Sequence, residues 1–315
     1  AAASLEAAAT APTAPDVAAV PAVQPTSSPA PTATYTPDPT VTPEPPSPTP
    51  TARYSYTSDW LAIHPAISPP QLTAKSAIVV DFDTHRVLFA SHEHDRRAQA
   101  STTKIMTADV AIDIAPLDTP IRVTKDAVDT EPDHMGVQLN EVLSLDELLY
   151  GLLLDSGNDA AYTIADGLGG MDAFVAKMNQ KASELQLHDT HFQNPAGFDD
   201  PGQYTSAYDL AVQTTDALRS HPEFRKIVST KKQIIYPTKT HGWFGPTSLN
   251  NLLWNYQGAF GVKPGLTDKA DYCLVAAATR NGHTVISVVM GVPTDRHFTE
   301  GALLLTYGFQ RIGEE

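Results

Sequence analysis

The sequence predicts an α+β domain, in which an antiparallel sheet flanked by helices is assembled from both ends of the chain around an inserted all-helical lobe. Three observations carry that prediction. Short apolar runs split by a turn occupy residues 76–92, apolar residues at helical spacing fill residues 101–220, and period-two runs return after Gly261. Residues 76–83 (SAIVVDFD) and 87–92 (VLFASH), separated by Thr84-His85-Arg86, predict a β-hairpin. Residues 101–115 predict a helix with Ile105, Met106, Val110 and Ile114 along one face. Ser144 followed three residues on by Glu147 is a capping box that opens a helix carrying Leu145, Leu148, Leu149, Leu152 and Leu153. Further helical stretches fall near residues 171–185 and 206–220. Residues 272–279 and 284–291 predict adjacent strands joined by Asn281-Gly282, a tight-hairpin signal, and residues 298–312 predict a final helix.

The composition divides the 315 residues unevenly: residues 1–50 hold 13 of the 26 prolines and no Lys or Arg. Residues 1–55 show no helical or strand periodicity and predict a disordered Pro/Ala/Thr-rich tether, leaving residues 56–315 as the folded domain. Setting aside the four acidic residues of 1–50 brings the net charge from −15 to −11 for the remaining 265 residues. An acidic body without a basic cluster argues against nucleic acid as a partner, because phosphates would be repelled. The longest apolar run, around residues 284–292, is half of what spans a bilayer, so no transmembrane segment is expected. Stalks rich in Ser/Thr-Pro point to an extracytoplasmic location; the chain starts at Ala1 without Met or a signal-type apolar core, as expected of a processed or cut start. The single cysteine, Cys273, excludes an internal disulfide, and within its apolar run it is expected to be a buried small hydrophobe.

Three short stretches could do chemistry. In Ser101-Thr102-Thr103-Lys104 the lysine lies one turn beyond the serine on the same helix face. A desolvated lysine beside other cations can take the hydroxyl proton and make the serine a nucleophile. The pair is weak alone, and Ser229 with Lys232 repeats the spacing. In Asp155-Ser156-Gly157-Asn158, a break between helices places a hydroxyl and an amide on a tight turn, where Ser156 could relay a proton and Asn158 grip a substrate amide. Taken alone the stretch reads first as plain turn chemistry, and Ser248-Leu249-Asn250 repeats the spacing. Lys263-Pro264-Gly265 precedes the last strands; a lysine on an edge strand can hold a carboxylate, and glycine admits a substrate backbone. Lys239-Thr240-His241-Gly242 resembles it but lacks a following apolar run, so an exposed hairpin or loop is expected there. His92-Glu93-His94-Asp95 lies in a charged loop rather than on a His-Glu-x-x-His helix, and no metal or other cofactor is expected.

Their order and context are specific. Ala100-Ser101-Thr102-Thr103-Lys104-Ile105-Met106-Thr107-Ala108, then Ser156-Gly157-Asn158-Asp159-Ala160-Ala161, then Gly261-Val262-Lys263-Pro264-Gly265 closely resemble the serine-type D-alanyl-D-alanine carboxypeptidases, the low-molecular-mass penicillin-binding proteins. Leu148-Leu149-Tyr150-Gly151-Leu152-Leu153 and Asn194-Pro195-Ala196-Gly197-Phe198-Asp199-Asp200 extend the likeness over nearly the whole folded body. The resemblance implies a DD-peptidase/β-lactamase-like fold and removal of the terminal D-Ala from peptidoglycan stem peptides, with β-lactams as covalent inhibitors. It implies Ser101 as acylated nucleophile, Lys104 as its base and Ser156 as proton relay. Asn158 would bind the peptide, Lys263 would hold Ser156 and pair with the terminal carboxylate, and the N–H groups of Ser101 and Leu266 would form the oxyanion hole beside Gly265.

One departure matters. The family usually has threonine where this chain has Pro264, and proline lacks both the hydroxyl and the backbone N–H. The lost N–H would face the cleft edge with that of Leu266, leaving the ladder intact, and Thr267 is a candidate to replace the missing donor. A class A β-lactamase is disfavoured, because neither Glu184 nor Glu223 has Asn four residues on. A DD-endopeptidase acting on crosslinks, and a weakly catalytic penicillin-sensing or wall-binding protein, stay open as alternatives.

Overall fold

The computed structural model describes residues 67–313, so the tether expected at 1–55 and the expected start of the domain at 56 lie outside the described residues. In chain order the elements are β1 (Ser76–Asp81), β2 (Arg86–Ser91), α1 (Lys104–Ile114), β3 (Pro120–Arg122), α2 (Lys125–Val128), β4 (Val142–Ser144), α3 (Leu145–Leu153), α4 (Asn158–Gly167) and α5 (Met171–Glu184). There follow α6 (Ala207–Ser220), α7 (Pro222–Val228), α8 (Leu252–Asn255), β5 (Ala259–Thr267), β6 (Asp271–Arg280), β7 (His283–Val292) and α9 (His297–Ile312). The main sheet runs β2-β1-β7-β6-β5 with antiparallel neighbours throughout, so the first hairpin and the last three strands meet at the β1–β7 pair. This is the predicted α+β layout, with the helical middle of the chain packed as a lobe.

The sheet is buried on both faces, which explains why β1 reads as a continuous apolar run rather than an alternating one. Ala77, Val79, Leu274, Ala276, Val285 and Val289 pack on Leu304, Leu305 and Phe309 of α9. Their neighbours Ile78, Val80, Val275, Ala277, Ile286 and Val288 face the lobe and join Ile105, Met106 and Leu210. Each Val, Leu, Ile, Met or Phe side chain among them contributes about 1.5–3 kcal/mol on burial, the alanines less. The β6–β7 turn places Asn281 and Gly282 at φ 48° and 88°, the left-handed pair a two-residue hairpin requires. At α3 the capping box forms: Glu147 N donates to Ser144 Oγ (3.3 Å), and Ser144 N donates to Glu147 Oε2 (2.8 Å).

The helix predicted over 101–115 differs at its start. Ala100–Thr103 is a 3-10 turn, and the α-helix begins only at Lys104. In a 3-10 turn the side chains at i and i+3 eclipse, so the departure places Lys104 directly over Ser101. The turn is wedged between two glycines. A Cβ on Gly197 (φ +98°) would lie 1.9 Å from the Ala100 carbonyl oxygen, and one on Gly265 would lie 2.8 Å from Ser101 N.

Candidate active site

Ser101, Ser156, Pro264, Gly265 and Leu266 line one cleft of about 280 Å3. Ser101 comes from the 3-10 turn ahead of α1, Ser156 from the α3–α4 break, and the other three from β5, which is the sheet's outer strand. Three sequence-distant stretches therefore converge.

Lys104 is fully buried, and its Nζ has three oxygen neighbours: Ser101 Oγ at 2.9 Å, Asn158 Oδ1 at 2.8 Å and the Ala196 carbonyl at 2.7 Å. The Asn158 amide is oriented by its own Nδ2, which donates to the Glu131 carbonyl (3.1 Å). Burial pushes the Lys104 pKa well below its usual value, and the nearby charge of Lys263 pushes it in the same direction. A neutral amine has two N–H donors and one lone pair. The amide oxygen and the carbonyl can only accept, so they take both N–H groups, and the lone pair is left for the Ser101 hydroxyl proton. The arrangement can thus generate a serine nucleophile.

Ser156 is 2% exposed and sits in the left-handed region at φ +62°. Among the described residues its hydroxyl makes no hydrogen bond. Lys263 is fully buried, and burial lowers its pKa to about 7, against the opposing pull of Asp133 and Asp155. Its Nζ donates to the carbonyl of Pro264 (3.2 Å) rather than to Ser156 as expected; a buried ammonium needs an acceptor, and the adjacent carbonyl supplies one. Pro264 is tolerated because, among the described residues, β5 pairs only with β6, on one side. Thr267 corrects an expectation. Its hydroxyl donates to Asp199 Oδ1 (2.7 Å), and the same Asp199 takes Lys269 N through Oδ2 (3.1 Å). The Thr267 proton is committed to pinning the β5–β6 turn and does not replace the donor that Pro264 lacks.

Sequence reasoning did not find the rest of the cleft: Pro132, Asp133, Leu249, Tyr272, His297 and Phe298. The His297 ring stacks on Tyr272 at 4.7 Å and 18° and packs on Phe298 at 4.1 Å, and burial lowers its pKa. Asp159 was likewise passed over. Its carboxylate accepts Met135 N (2.8 Å), Gly136 N (2.8 Å) and Val137 N (3.1 Å), so it holds the loop that brings Pro132 and Asp133 to the cleft. Its place in the first turn of α4 was the available signal.

Away from the cleft, Asp109, Asp113 and His221 each offer a ligand atom within 4.8 Å of the others. Lys181 Nζ already lies 3.4 Å from Asp109, 2.7 Å from Asp113 and 2.9 Å from Asp216, so an ammonium fills the position a cation would take. His92 and His94 face different carboxylates, Asp95 (3.7 Å) and Asp189 (3.5 Å). Cys273 is buried, and burial pushes its thiol up to about 12, which leaves it inert as a nucleophile. No helix among the described residues is long and apolar enough to cross a membrane.

Comparison with known proteins agrees with the geometry. A family model described as D-alanyl-D-alanine carboxypeptidase matches residues 64–294. The carboxypeptidase DacD of Salmonella typhimurium is 38% identical over 268 residues, covering 80% of this chain and 66% of that protein. DacF of Bacillus subtilis is 34% identical over 229 residues, covering 71% and 58%. The chain thus spans just under two thirds of the length of DacD, and less of DacF. The crystal structure of the Streptomyces K15 DD-transpeptidase superposes with a TM-score of 0.74 at 32% identity, covering 78% of this chain and 100% of that one. A family match across most of the folded body, joined to a shared DD-peptidase fold, establishes that the chain belongs to the D-alanyl-D-alanine carboxypeptidases of peptidase family S11.

Proposed function

We propose that the protein is a serine DD-carboxypeptidase that removes the terminal D-Ala from peptidoglycan stem peptides through an acyl-enzyme on Ser101. The observation that carries this is the fully buried Lys104, with one lone pair left for the Ser101 hydroxyl at 2.9 Å. Lys104 takes the proton as Ser101 Oγ attacks the carbonyl carbon of the scissile D-Ala-D-Ala bond. The N–H groups of Ser101 and Leu266 hold the oxyanion, each donor worth about 3–4 kcal/mol in the transition state. Ser156 passes a proton to the leaving amine, the C–N bond breaks, and D-Ala departs. Water then attacks the ester carbonyl, giving up a proton as Oγ regains one. Asn158 positions the peptide, and Lys263 pairs with the substrate's terminus, whose carboxylate favours the charged form of the amine. Pro264, Gly265, Leu266 and Thr267 form or anchor the strand along which the peptide lies. β-Lactams acylate the same serine. Such a substrate implies action outside the cytoplasm, in the periplasm, the cell wall or on the outer face of the membrane, with residues 1–55 as a tether for the catalytic domain 56–315.

A DD-endopeptidase activity on crosslinks is the second reading, favoured by Pro264 and by the engagement of the Thr267 hydroxyl with Asp199, which thin the grip on a free carboxylate. Incubation with a soluble peptide ending in D-Ala-D-Ala, its C-terminal amide and a crosslinked muropeptide dimer separates the two. Release of D-Ala from the acid but not the amide supports the carboxypeptidase. Cleavage of the dimer alone supports the endopeptidase, and penicillin labelling without either cleavage supports a sensor.

A further inference from the structure

Residues 224–267 contain no Asp or Glu and carry six Lys or Arg, in a chain of net charge −15. Within this stretch, residues 231–248 fold back as a two-stranded arm with bridges at Lys232–Thr247 and Ile235–Phe244. Ile235 and Phe244 exchange both backbone hydrogen bonds, at 2.9 and 3.0 Å, and are buried. The constant register puts Tyr236 opposite Trp243, and Ile234 opposite Gly245, on the outer face. Ile234, Tyr236 and Trp243 are 45%, 73% and 58% exposed. Tyr236 and Trp243 form a non-hydrogen-bonded pair, whose side chains start closest together. The indole is also held. A Cβ on Gly245 would fall 2.4 Å from Trp243 Cη2, so the ring lies across a backbone that only glycine leaves open.

The arm is built onto the cleft. Thr247 N donates to Asp155 Oδ1 (2.8 Å), next to Ser156, and Leu249 N donates to the Leu154 carbonyl (3.2 Å). Leu249 then lines the cleft with Ser101 and Ser156. We propose that the outer face of this arm docks the amino-sugar strand of the wall polymer whose stem peptide enters the cleft; this rests on the carboxypeptidase reading. Flat aromatic faces suit the C–H faces of pyranose rings. The exposed Lys232 and Lys239 complement the carboxylates that such a polymer carries, and continuity through Leu249 joins what lies on the arm to what lies at Ser101. A bilayer seated on the same face would cover the groove the peptide must enter, so the polymer is the occupant these contacts favour.

The test compares the unmodified full chain with the double variant Tyr236→Ala/Trp243→Ala, with Trp243→Phe, and with Lys232→Gln/Lys239→Gln. Co-sedimentation with purified peptidoglycan is measured in a Ser101→Ala background, which removes turnover. In the active background, kcat/KM is measured on uncrosslinked polymeric peptidoglycan and on a short acylated D-Ala-D-Ala peptide. The double variant is expected to lose about tenfold in sedimentation affinity and in kcat/KM on the polymer, with the short peptide unchanged. Trp243→Phe retains most binding, and the lysine variant binds more weakly with a flatter salt dependence. An equal fall on both substrates, or no fall on the polymer, overturns the proposal. So does binding to phosphatidylcholine/phosphatidylglycerol vesicles that the double variant loses. If the unmodified chain cleaves neither substrate, the carboxypeptidase reading fails, and sedimentation still decides the docking face.

Discussion

Replacing Gly265 by alanine tests the joint between β5 and the nucleophile turn. The added methyl would lie 2.8 Å from Ser101 N, 3.0 Å from Ala100 Cβ and 3.2 Å from Thr102 N, whereas ordinary contact begins near 3.4 Å. Strand and turn must therefore separate by about 0.6 Å, and since two of the three neighbours are backbone nitrogens, no flexible side chain can absorb the overlap. The movement falls between the two N–H groups proposed for the oxyanion, those of Ser101 and Leu266. Complete loss of one such donor costs about 100- to 1000-fold, so a partial displacement should slow acylation by about 10- to 100-fold. Overpacking of this kind costs about 1–3 kcal/mol of stability, or about 3–9 °C in Tm for a domain of this size. The assay is the time course of acylation by a fluorescent penicillin, with a thermal melt of the same sample. Gly242→Ala is the control, because its nearest neighbour would be Glu141 Oε1 at 3.5 Å. A folded Gly265→Ala variant acylating within about threefold of the unmodified protein would refute the reasoning.

Three further perturbations follow from the same geometry. Lys263→Gln removes the charge that helps hold the Lys104 pKa down, so the acid limb of the acylation pH profile should move to higher pH; a limb that stays or moves lower contradicts the coupling. Pro264→Thr restores a hydroxyl and an N–H at the cleft edge and should lower KM for a substrate with a free terminal carboxylate, leaving the amide unaffected. Lys181→Met strips the ammonium from Asp109, Asp113 and Asp216 and should cost about 3–5 kcal/mol at neutral pH. Burial already raises the Asp109 pKa, so in the variant the folded state binds more protons than the unfolded chain; the loss should shrink on acidification, and a pH-independent loss would argue against it.

How much of this was legible in the sequence depends on whether the signal was local. Asn281-Gly282 and the Ser144/Glu147 box each report a conformation that a few adjacent residues dictate, and both elements formed as expected. The ribbon of β3 and β4 went unseen because three-residue strands leave no period to detect. The Ser101–Lys104 spacing was visible, yet the 3-10 geometry that brings the pair to 2.9 Å depends on Gly197 and Gly265, both remote in sequence. Tyr272, His297 and Phe298 could not be foreseen together, since the wall they make joins the start of β6 to the start of α9. Thr267 is suggested by its place three residues beyond Pro264 on the same strand, and only the position of Asp199 shows where its hydroxyl goes.

The central claim is that buried Lys104 makes Ser101, and no other serine, the acylated nucleophile. Peptide mapping by mass spectrometry after β-lactam exposure tests it most directly, on the unmodified chain and on Ser101→Ala and Lys104→Met. A single adduct on the peptide containing Ser101, absent from both folded variants, is the predicted result. An adduct on another serine such as Ser229, or one that survives in Lys104→Met at the unmodified rate, would contradict it.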